Sequence, residues 1–241
     1  MLVSQQNKRD MAVKFAFAFL MLGAILCCTY FLGAMARSGI AFERLTSIPK
    51  LLILTWKVFA ELFLLAAAIF VSHSKSNKGL AIYVCVIVIA DIVLALEQVQ
   101  IAGLIFILAH LIAMIVYSKC LKLPNSAIVT TISLIPIMAV LGLLTYLYSN
   151  NQFQVLALFP LFSAGAAFAA INSDYRWFLN GAGATILWMS DMLFVIAMIL
   201  TGDATSVGWL VWLTFSFGLT LIVLGLIIRQ MHDSTIQATE S

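Results

Sequence analysis

Apolar runs of about 20 residues recur along this 241-residue chain, and each run is bounded by short polar or turn-forming segments. A helix of that length matches the hydrocarbon thickness of a bilayer and satisfies its own backbone amides there. Charged residues make up 10% of the chain and apolar residues 63%, whereas a soluble domain carries about 25% charged residues. The pattern predicts an all-α membrane protein in which residues 1–241 form a single integral-membrane domain.

The apolar runs predict a bundle of eight transmembrane helices. They fall at about 12–35, 48–71, 80–97, 101–118, 126–148, 153–171, 178–200 and 206–228. The third connection is the weakest, because only Glu97, Gln98 and Gln100 interrupt the apolar sequence; without it, seven helices remain. Pro136 and Pro160 fall inside the fifth and sixth predicted helices, which we expect them to kink.

The N-terminal apolar run has two interpretations. Lys8 and Arg9 precede it, and Ala34-Met35-Ala36 resembles a signal-peptide cleavage site. However, the run over 15–32 is longer than the roughly 7–15 residues of a signal peptide's apolar region. The length favours a first transmembrane helix.

The basic residues predict an orientation for the bundle. With eight helices and a cytoplasmic N-terminus, the inner segments carry Lys8, Arg9, Lys14, Lys75, Lys78, Lys119, Lys122, Arg176 and Arg229, and the outer ones carry Arg37, Arg44 and Lys50. This bias places both termini in the cytoplasm by the positive-inside rule. Trp177, Trp209 and Trp212 lie near predicted helix ends, as interfacial anchors do.

Several classes of function lack support in the sequence. The formal net charge of +3 comes without any basic run, so no nucleic-acid partner is indicated. The four cysteines (Cys27, Cys28, Cys85 and Cys120) lack metal-binding spacing and are interpreted as small apolar fillers. No G-x-S-x-G elbow, H-E-x-x-H motif or glycine-rich phosphate loop is present. No metal or cofactor is predicted.

Five strongly polar residues fall well inside the predicted helices: Lys57, Glu61, Asp91, His110 and Asp191. A carboxylate in hydrocarbon costs roughly 2.5–3.5 kcal/mol by the lower estimates, so such residues usually mark functional sites. With a rise of about 1.5 Å per residue, Lys57, Asp91, His110 and Asp191 come to a similar depth, slightly to the outer side of the midplane. The sequence therefore predicts one intramembrane site lined by the second, third, fourth and seventh predicted helices.

The charges on these helices leave two pairings open. Lys57 and Glu61 are four residues apart and can neutralise each other on one helix face; alternatively, Lys57 binds an anionic group or acts on a nearby aspartate. Asp91 and Asp191 have no opposite charge one turn away. Each aspartate therefore needs a tertiary partner or stays protonated.

His110 and two further polar residues, Asn180 and Ser190, have less definite interpretations. His110 is as readily explained by packing as by catalysis. Asn180 and Ser190 can add hydrogen bonds to a bound substrate, although such residues are common in membrane helices.

The polar positions also carry a family resemblance. Lys57 stands at a suitable distance before Ala90-Asp91, and the stretch from Gly103 to His110 reads Gly-Leu-Ile-Phe-Ile-Leu-Ala-His, followed later by Ser190-Asp191. In these features the chain resembles the YhhN-like family of membrane proteins, which includes lysoplasmalogenases and shows G-D, G-x-x-x-[FL]-x-x-H and S-[DN] motifs in that order.

Two departures from the family pattern bear on activity. The family lysine is commonly followed closely by proline, whereas this chain reads Lys57-Val-Phe-Ala-Glu61. The last helix of the family usually carries glutamine or histidine where this chain has Leu219. A catalytically silent, lipid-binding relative is therefore one alternative.

The resemblance implies hydrolysis of the vinyl-ether bond of a lysoplasmalogen, a lysophospholipid, to a fatty aldehyde and a glycerophospho-base. Two carboxyls, one protonated and one ionised, suit that acid–base chemistry. We expect Asp91 and Asp191 to form this pair, with His110 assisting. Lys57, Glu61, Ser190 and Asn180 are then expected to bind the substrate.

A proton-coupled membrane transporter is the main rival, because intramembrane Asp, His and Lys–Glu groups also serve proton relays. The chain has no N-x-[ST] site, which suits a bacterial inner membrane. The sequence leaves the oligomeric state open.

Overall fold

A computed structural model describes residues 2–37, 50–72, 75–96, 98–119, 121, 140, 154–173, 178–201 and 207–239. Its helices are α1 (Leu2–Arg37), α2 (Lys50–Phe70), α3 (Lys75–Ala95), α4 (Val99–Ser118), α5 (Gln154–Ile171), α6 (Phe178–Thr201) and α7 (Gly208–Thr239). The fifth predicted helix, 126–148, lies outside the described residues apart from one position. The described part of the chain is thus all-helical, and it shows seven of the eight predicted helices.

A real break separates the third and fourth predicted helices. α3 ends at Ala95 and α4 begins at Val99. The Gln98 amide donates a hydrogen bond to the Val93 carbonyl oxygen at 3.2 Å, and the Ala102 amide then donates to Gln98 at 2.9 Å. The alternative in which these two helices merge is therefore wrong.

The first and last helices are longer than predicted. α1 begins at Leu2 instead of 12, and α7 continues to Thr239 instead of 228. Hydropathy marks only the part of a helix that lies in lipid, whereas the backbone hydrogen bonds continue through polar residues of good helix propensity until glycine or proline stops them. Neither residue occurs in the two polar extensions, 2–11 and 229–239.

Five segments in the described helices are long and apolar enough to cross a membrane. They are Asp10–Tyr30, Asn77–Ala95, Val99–Ser118, Phe178–Leu200 and Gly208–His232. Large apolar side chains cover their outer surfaces; Leu104 is 61% exposed and Ile25 is 54% exposed. Exposed apolar surface on this scale is characteristic of a protein whose solvent is the bilayer.

The described helices pack side by side in a closed order. α1 contacts α2, α2 contacts α3, and α3 contacts α4; α4 then contacts α5, α5 contacts α6, and α6 contacts α7. α7 closes the order on α1 and also contacts α2. α5 continues through Pro160 without a break.

Glycines bring α6 and α7 into close contact. A Cβ atom built on Gly183 would lie 2.7 Å from the Gly218 carbonyl oxygen, and one on Gly218 would lie 2.8 Å from the Gly183 carbonyl oxygen. Small residues at facing positions let helix backbones approach in membranes. This seam positions Asp191 on α6 next to the inward face of α7.

Candidate functional site

The first charged pair joins α2 to α3. The Lys57 ammonium forms a salt bridge with the Asp91 carboxylate, and the two side chains are 12% and 7% exposed. A charge this deeply buried needs a partner, because the penalty of desolvation is otherwise uncompensated. Lys57 is thus the tertiary partner that the sequence required for Asp91.

Glu61 lies one helical turn after Lys57 and contacts the same pair. Its side chain is 1% exposed, and its carboxyl lies within hydrogen-bond reach of the Asp91 carboxyl. Among the described residues, neither Glu61 oxygen receives a hydrogen bond from a donor. The ion pair that the structure forms is therefore Lys57–Asp91 in place of the intrahelical Lys57–Glu61 pair, because α3 packs on the face of α2 that carries both residues.

A cluster of aromatic side chains lies beside the Lys57 ammonium. Lys57 Nζ lies 4.9 Å from the centroid of the Trp212 ring on α7, which is a cation–π geometry. Tyr30 of α1 meets Trp212 edge-on with centroids 4.7 Å apart, and Phe215 stacks on Trp212 at 5.7 Å. We call Tyr30, Trp212 and Phe215 the aromatic wall.

The burial of Trp212 corrects an expectation from the sequence. Trp212 is 5% exposed, so it is a core residue and not an interfacial anchor. Proximity to a helix end was the only sequence signal, and it carries no information about the direction of the side chain. Trp209 is half-buried, and Trp177 lies outside the described residues.

The second acid–base pair connects α4 to α6. His110 Nε2 lies 3.3 Å from Asp191 Oδ2, with side chains 2% and 8% exposed. Within the described chain, neither of these atoms makes a well-aligned hydrogen bond, and His110 Nδ1 has no partner either. The pair is close enough to exchange a proton while keeping unused hydrogen-bonding capacity, a combination typical of an acid–base site before substrate binds.

Contacts through α7 link the two pairs. The Ser190 hydroxyl, next to Asp191, donates a hydrogen bond to the Val211 carbonyl oxygen at 2.8 Å. Val211 directly precedes Trp212 on α7. The Phe215 ring meets the Phe106 ring of α4 edge-on, with centroids 6.5 Å apart. Phe106 lies one turn before His110 on α4. The aromatic wall therefore reaches both pairs: Trp212 lies beside Lys57, and Phe215 contacts the helix that carries His110. Each aspartate has its own basic partner.

Asn180 occupies a different part of the bundle. It precedes Asp191 by about three turns of α6, roughly 16 Å along the axis. It packs against α7, where a Cβ built on Gly225 would lie 2.8 Å from Asn180 Oδ1. The structure thus groups Lys57, Glu61 and Ser190 with the charged pairs but not Asn180. A polar residue in an apolar helix signals a tertiary contact without saying which one.

The remaining chemistry-bearing groups give no metal centre. No cluster of three or more His, Cys, Asp or Glu side chains in the described ranges is arranged to hold a metal ion. Cys27 is buried, Cys28 is exposed and Cys85 is partly buried, all as free thiols, while Cys120 lies outside the described residues.

No family model, curated protein or solved structure matches this chain. The fold and the buried pairs define a helical membrane protein that carries acid–base groups inside its bundle.

Proposed function

We propose that this protein is a membrane-embedded ether hydrolase of the YhhN-like, lysoplasmalogenase type. It cleaves the vinyl-ether bond of lysoplasmalogens to a fatty aldehyde and a glycerophospho-base. One observation carries the proposal: Lys57, Asp91, His110 and Asp191, which come from four different helices, meet as two buried acid–base pairs. These are the same four positions on which the sequence resemblance rests.

The chemistry of vinyl-ether cleavage requires one acid and one base. The acid protonates the vinyl carbon farther from oxygen and leaves an oxocarbenium ion on the other. Water adds to that ion as the base takes its proton, giving a hemiacetal. The hemiacetal hydroxyl then returns a proton to the acid's carboxylate, and the protonated base supplies the proton that the departing glycerol oxygen needs. Acid and base are both restored.

The two pairs suit these two tasks. The side of the site with Lys57 and Asp91 contains two carboxyls against one ammonium, and we assign it the role of proton donor. Once one carboxyl has given up its proton, the carboxylate charge on this side of the site stabilises the oxocarbenium ion. His110 is the base that activates water, and Asp191 orients its imidazole and stabilises the imidazolium, as a carboxylate does in a catalytic triad.

Substrate entry follows from the position of the site. The single hydrocarbon chain of a lysophospholipid enters sideways from the bilayer between helices, and the vinyl-ether bond lies at the start of that chain. Ser190 holds Asp191 in place through its contact with α7. No metal or cofactor is needed for the steps described.

The proposal includes a bacterial inner membrane location with eight spans and both termini in the cytoplasm. Nine basic residues against three support this orientation by the positive-inside rule. Labelling of single cysteines placed at the N-terminus and at Arg44, from each side of sealed vesicles, tests it.

Turnover of a lysoplasmalogen by detergent-purified protein, coupled to an aldehyde dehydrogenase readout, tests the activity. Wild type is expected to release aldehyde, and Asp91→Asn and Asp191→Asn are expected to release none. Asp10→Asn is the matched control because Asp10 is exposed on α1, so its turnover should equal that of wild type. Full turnover by either buried-site variant would contradict the assigned roles.

A proton-coupled transporter is the second candidate function. The observation in its favour is that both buried aspartates carry a titratable partner inside the bundle, as proton relays require. Absence of aldehyde with an active control enzyme, together with proton-driven uptake in liposomes, would support it. Absence of both, with retained lysolipid binding, would indicate a silent relative, which agrees with the fully buried Leu219 on α7.

A further inference from the structure

The cluster of Lys57, Asp91 and Glu61 is unbalanced in charge when all three groups are ionised. Two carboxylates and one ammonium would leave one net negative charge in an apolar interior. Glu61 is 1% exposed and Asp91 is 5% exposed, so water cannot screen that charge. An uncompensated buried charge costs several kcal/mol and is usually neutralised by taking up a proton.

The hydrogen-bonding geometry shows where a proton fits. The Glu61 carboxyl lies within hydrogen-bond reach of the Asp91 carboxyl, and neither of its oxygens has a donor within the described ranges. Two ionised carboxylates are both acceptors and repel each other, whereas one shared proton turns the contact into a hydrogen bond. Lys57 already contacts Asp91, which leaves Glu61 as the group without a cation of its own.

The surrounding helices offer the cluster no second cation in the described part of the chain. From α1 it faces Cys27 and Tyr30. From α7 it faces Trp212, whose ring lies beside the ammonium. Among the described residues, a proton is therefore the one remaining way to neutralise the cluster.

We propose that Glu61 and Asp91 share one proton at neutral pH, so that Lys57, Asp91 and Glu61 form a neutral proton-storing site inside the membrane-spanning bundle. Glu61 is a positioning residue in this site, because it holds the proton that Asp91 passes on. The use of that proton to attack the vinyl ether rests on the proposed hydrolysis. The presence of the proton does not, since it follows from charge and contact alone.

Infrared spectroscopy of purified protein in lipid nanodiscs tests the site directly, because a protonated carboxyl gives a carbonyl band above the amide bands, and this band shifts on exchange into D₂O. Glu61→Gln is expected to lower the intensity of this band by the contribution of one carboxyl, since the charges of Lys57 and Asp91 then balance each other. Lys57→Met is expected to gain the same amount, because both carboxyls must be protonated. The double variant Lys57→Met with Glu61→Gln should return to the wild-type amount, with the proton on Asp91.

Exposed groups provide the matched controls. Asp10→Asn and Lys78→Met alter a carboxyl and an ammonium at exposed positions, and both should leave the band unchanged. An unchanged band in Glu61→Gln would overturn the proposal. If Glu61→Gln does not fold, the double variant Lys57→Met with Glu61→Gln provides the test. Absence of the carboxyl band in that double variant would overturn the proposal as well.

Kinetics separate this inference from the proposed hydrolysis. Where wild type releases aldehyde, Glu61→Gln should lower kcat at least tenfold with little change in KM, and Glu61→Asp should recover part of the loss. A purely structural role would instead lower kcat equally in Glu61→Asp and Glu61→Gln. If wild type releases no aldehyde, the proposed hydrolysis fails, while the infrared result still stands or falls independently.

Discussion

The Ser190 hydroxyl donates a hydrogen bond to the carbonyl oxygen of Val211 at 2.8 Å. This bond connects α6 to α7 at the point where each helix enters the site. Asp191 follows directly on one helix, and Trp212 follows directly on the other. The contact therefore fixes the position of the His110–Asp191 pair relative to the aromatic wall beside Lys57.

Replacing Ser190 with alanine is expected to destabilise the protein modestly and to lower turnover. Loss of one interhelical hydrogen bond costs about 0.5–1.5 kcal/mol, measured as the free energy of unfolding in a denaturing detergent. Turnover should fall because Asp191 loses its fixed position. Thr185→Ala is the matched control on α6, since within the described chain Thr185 donates to the Gly181 carbonyl of its own helix and to no other helix. Equal effects of the two substitutions would count against a positioning role for Ser190.

Gly183→Ala is expected to separate α6 from α7. The new Cβ would lie 2.7 Å from the Gly218 carbonyl oxygen and 2.9 Å from Ile222 Cγ1. Because the nearer atom belongs to the backbone of a packed helix, it cannot yield cheaply, and overpacking of this kind costs about 1–3 kcal/mol. The measurement is again the free energy of unfolding, with turnover as a second readout.

Gly103→Ala provides the control for that experiment. Gly103 lies on α4, and a Cβ there would meet no atom of the described residues within 4 Å. Alanine exceeds glycine in helix propensity by about 1 kcal/mol, so this substitution should be neutral or stabilising. A destabilisation by Gly103→Ala as large as that by Gly183→Ala would show that the α6–α7 seam is not the cause.

His110→Gln is expected to lower kcat by about 10²-fold or more if His110 is the base, the range found for a positioned acid–base group. Glutamine fills much of the same space and can still donate to Asp191, so KM and the unfolding free energy should change little. His232→Gln is the control, because His232 is exposed near the end of α7. Retention of full kcat by His110→Gln would remove His110 from the mechanism and leave it a packing residue.

Much of the site was predictable from hydropathy and spacing. Asp91 and Asp191 stand in apolar runs without a charge one turn away, and this alone predicts that each has a tertiary partner or stays protonated. The rise per residue placed Lys57 and His110 at matching depths, and the structure pairs them with those two aspartates. The helix order followed from the lengths of the runs, because the bilayer fixes how long a span must be.

Side-chain direction was the part that the sequence did not determine. Trp212 looked like an anchor from its place near a helix end, but the rotation of α7 turns it inward beside Lys57. The sequence left both Glu61 and a nearby aspartate open as partners of Lys57, and the packing of α3 against α2 brings Asp91 into the salt bridge. Rotation of a helix about its axis depends on all of its neighbours, and an almost uniformly apolar helix carries little periodic signal to reveal it.

The contact between Lys57 and Trp212 leads to a final prediction. Cation–π contacts contribute about 0.5–1 kcal/mol at exposed sites and about 2 kcal/mol or more where the cation is desolvated. Because Lys57 is largely buried, Trp212→Leu should destabilise the protein by more than the loss of apolar contact explains, whereas Trp212→Phe keeps an aromatic face and should cost less. A double-mutant cycle with Lys57→Met isolates the coupling between the two residues. Trp188, half-buried on α6, supplies the control, since the cation–π contact of Lys57 in the described chain is with Trp212 and not with Trp188, and Trp188→Leu should show no coupling with Lys57→Met. A coupling energy near zero between Lys57 and Trp212 would mean that the aromatic wall only excludes lipid and water from the charged pair.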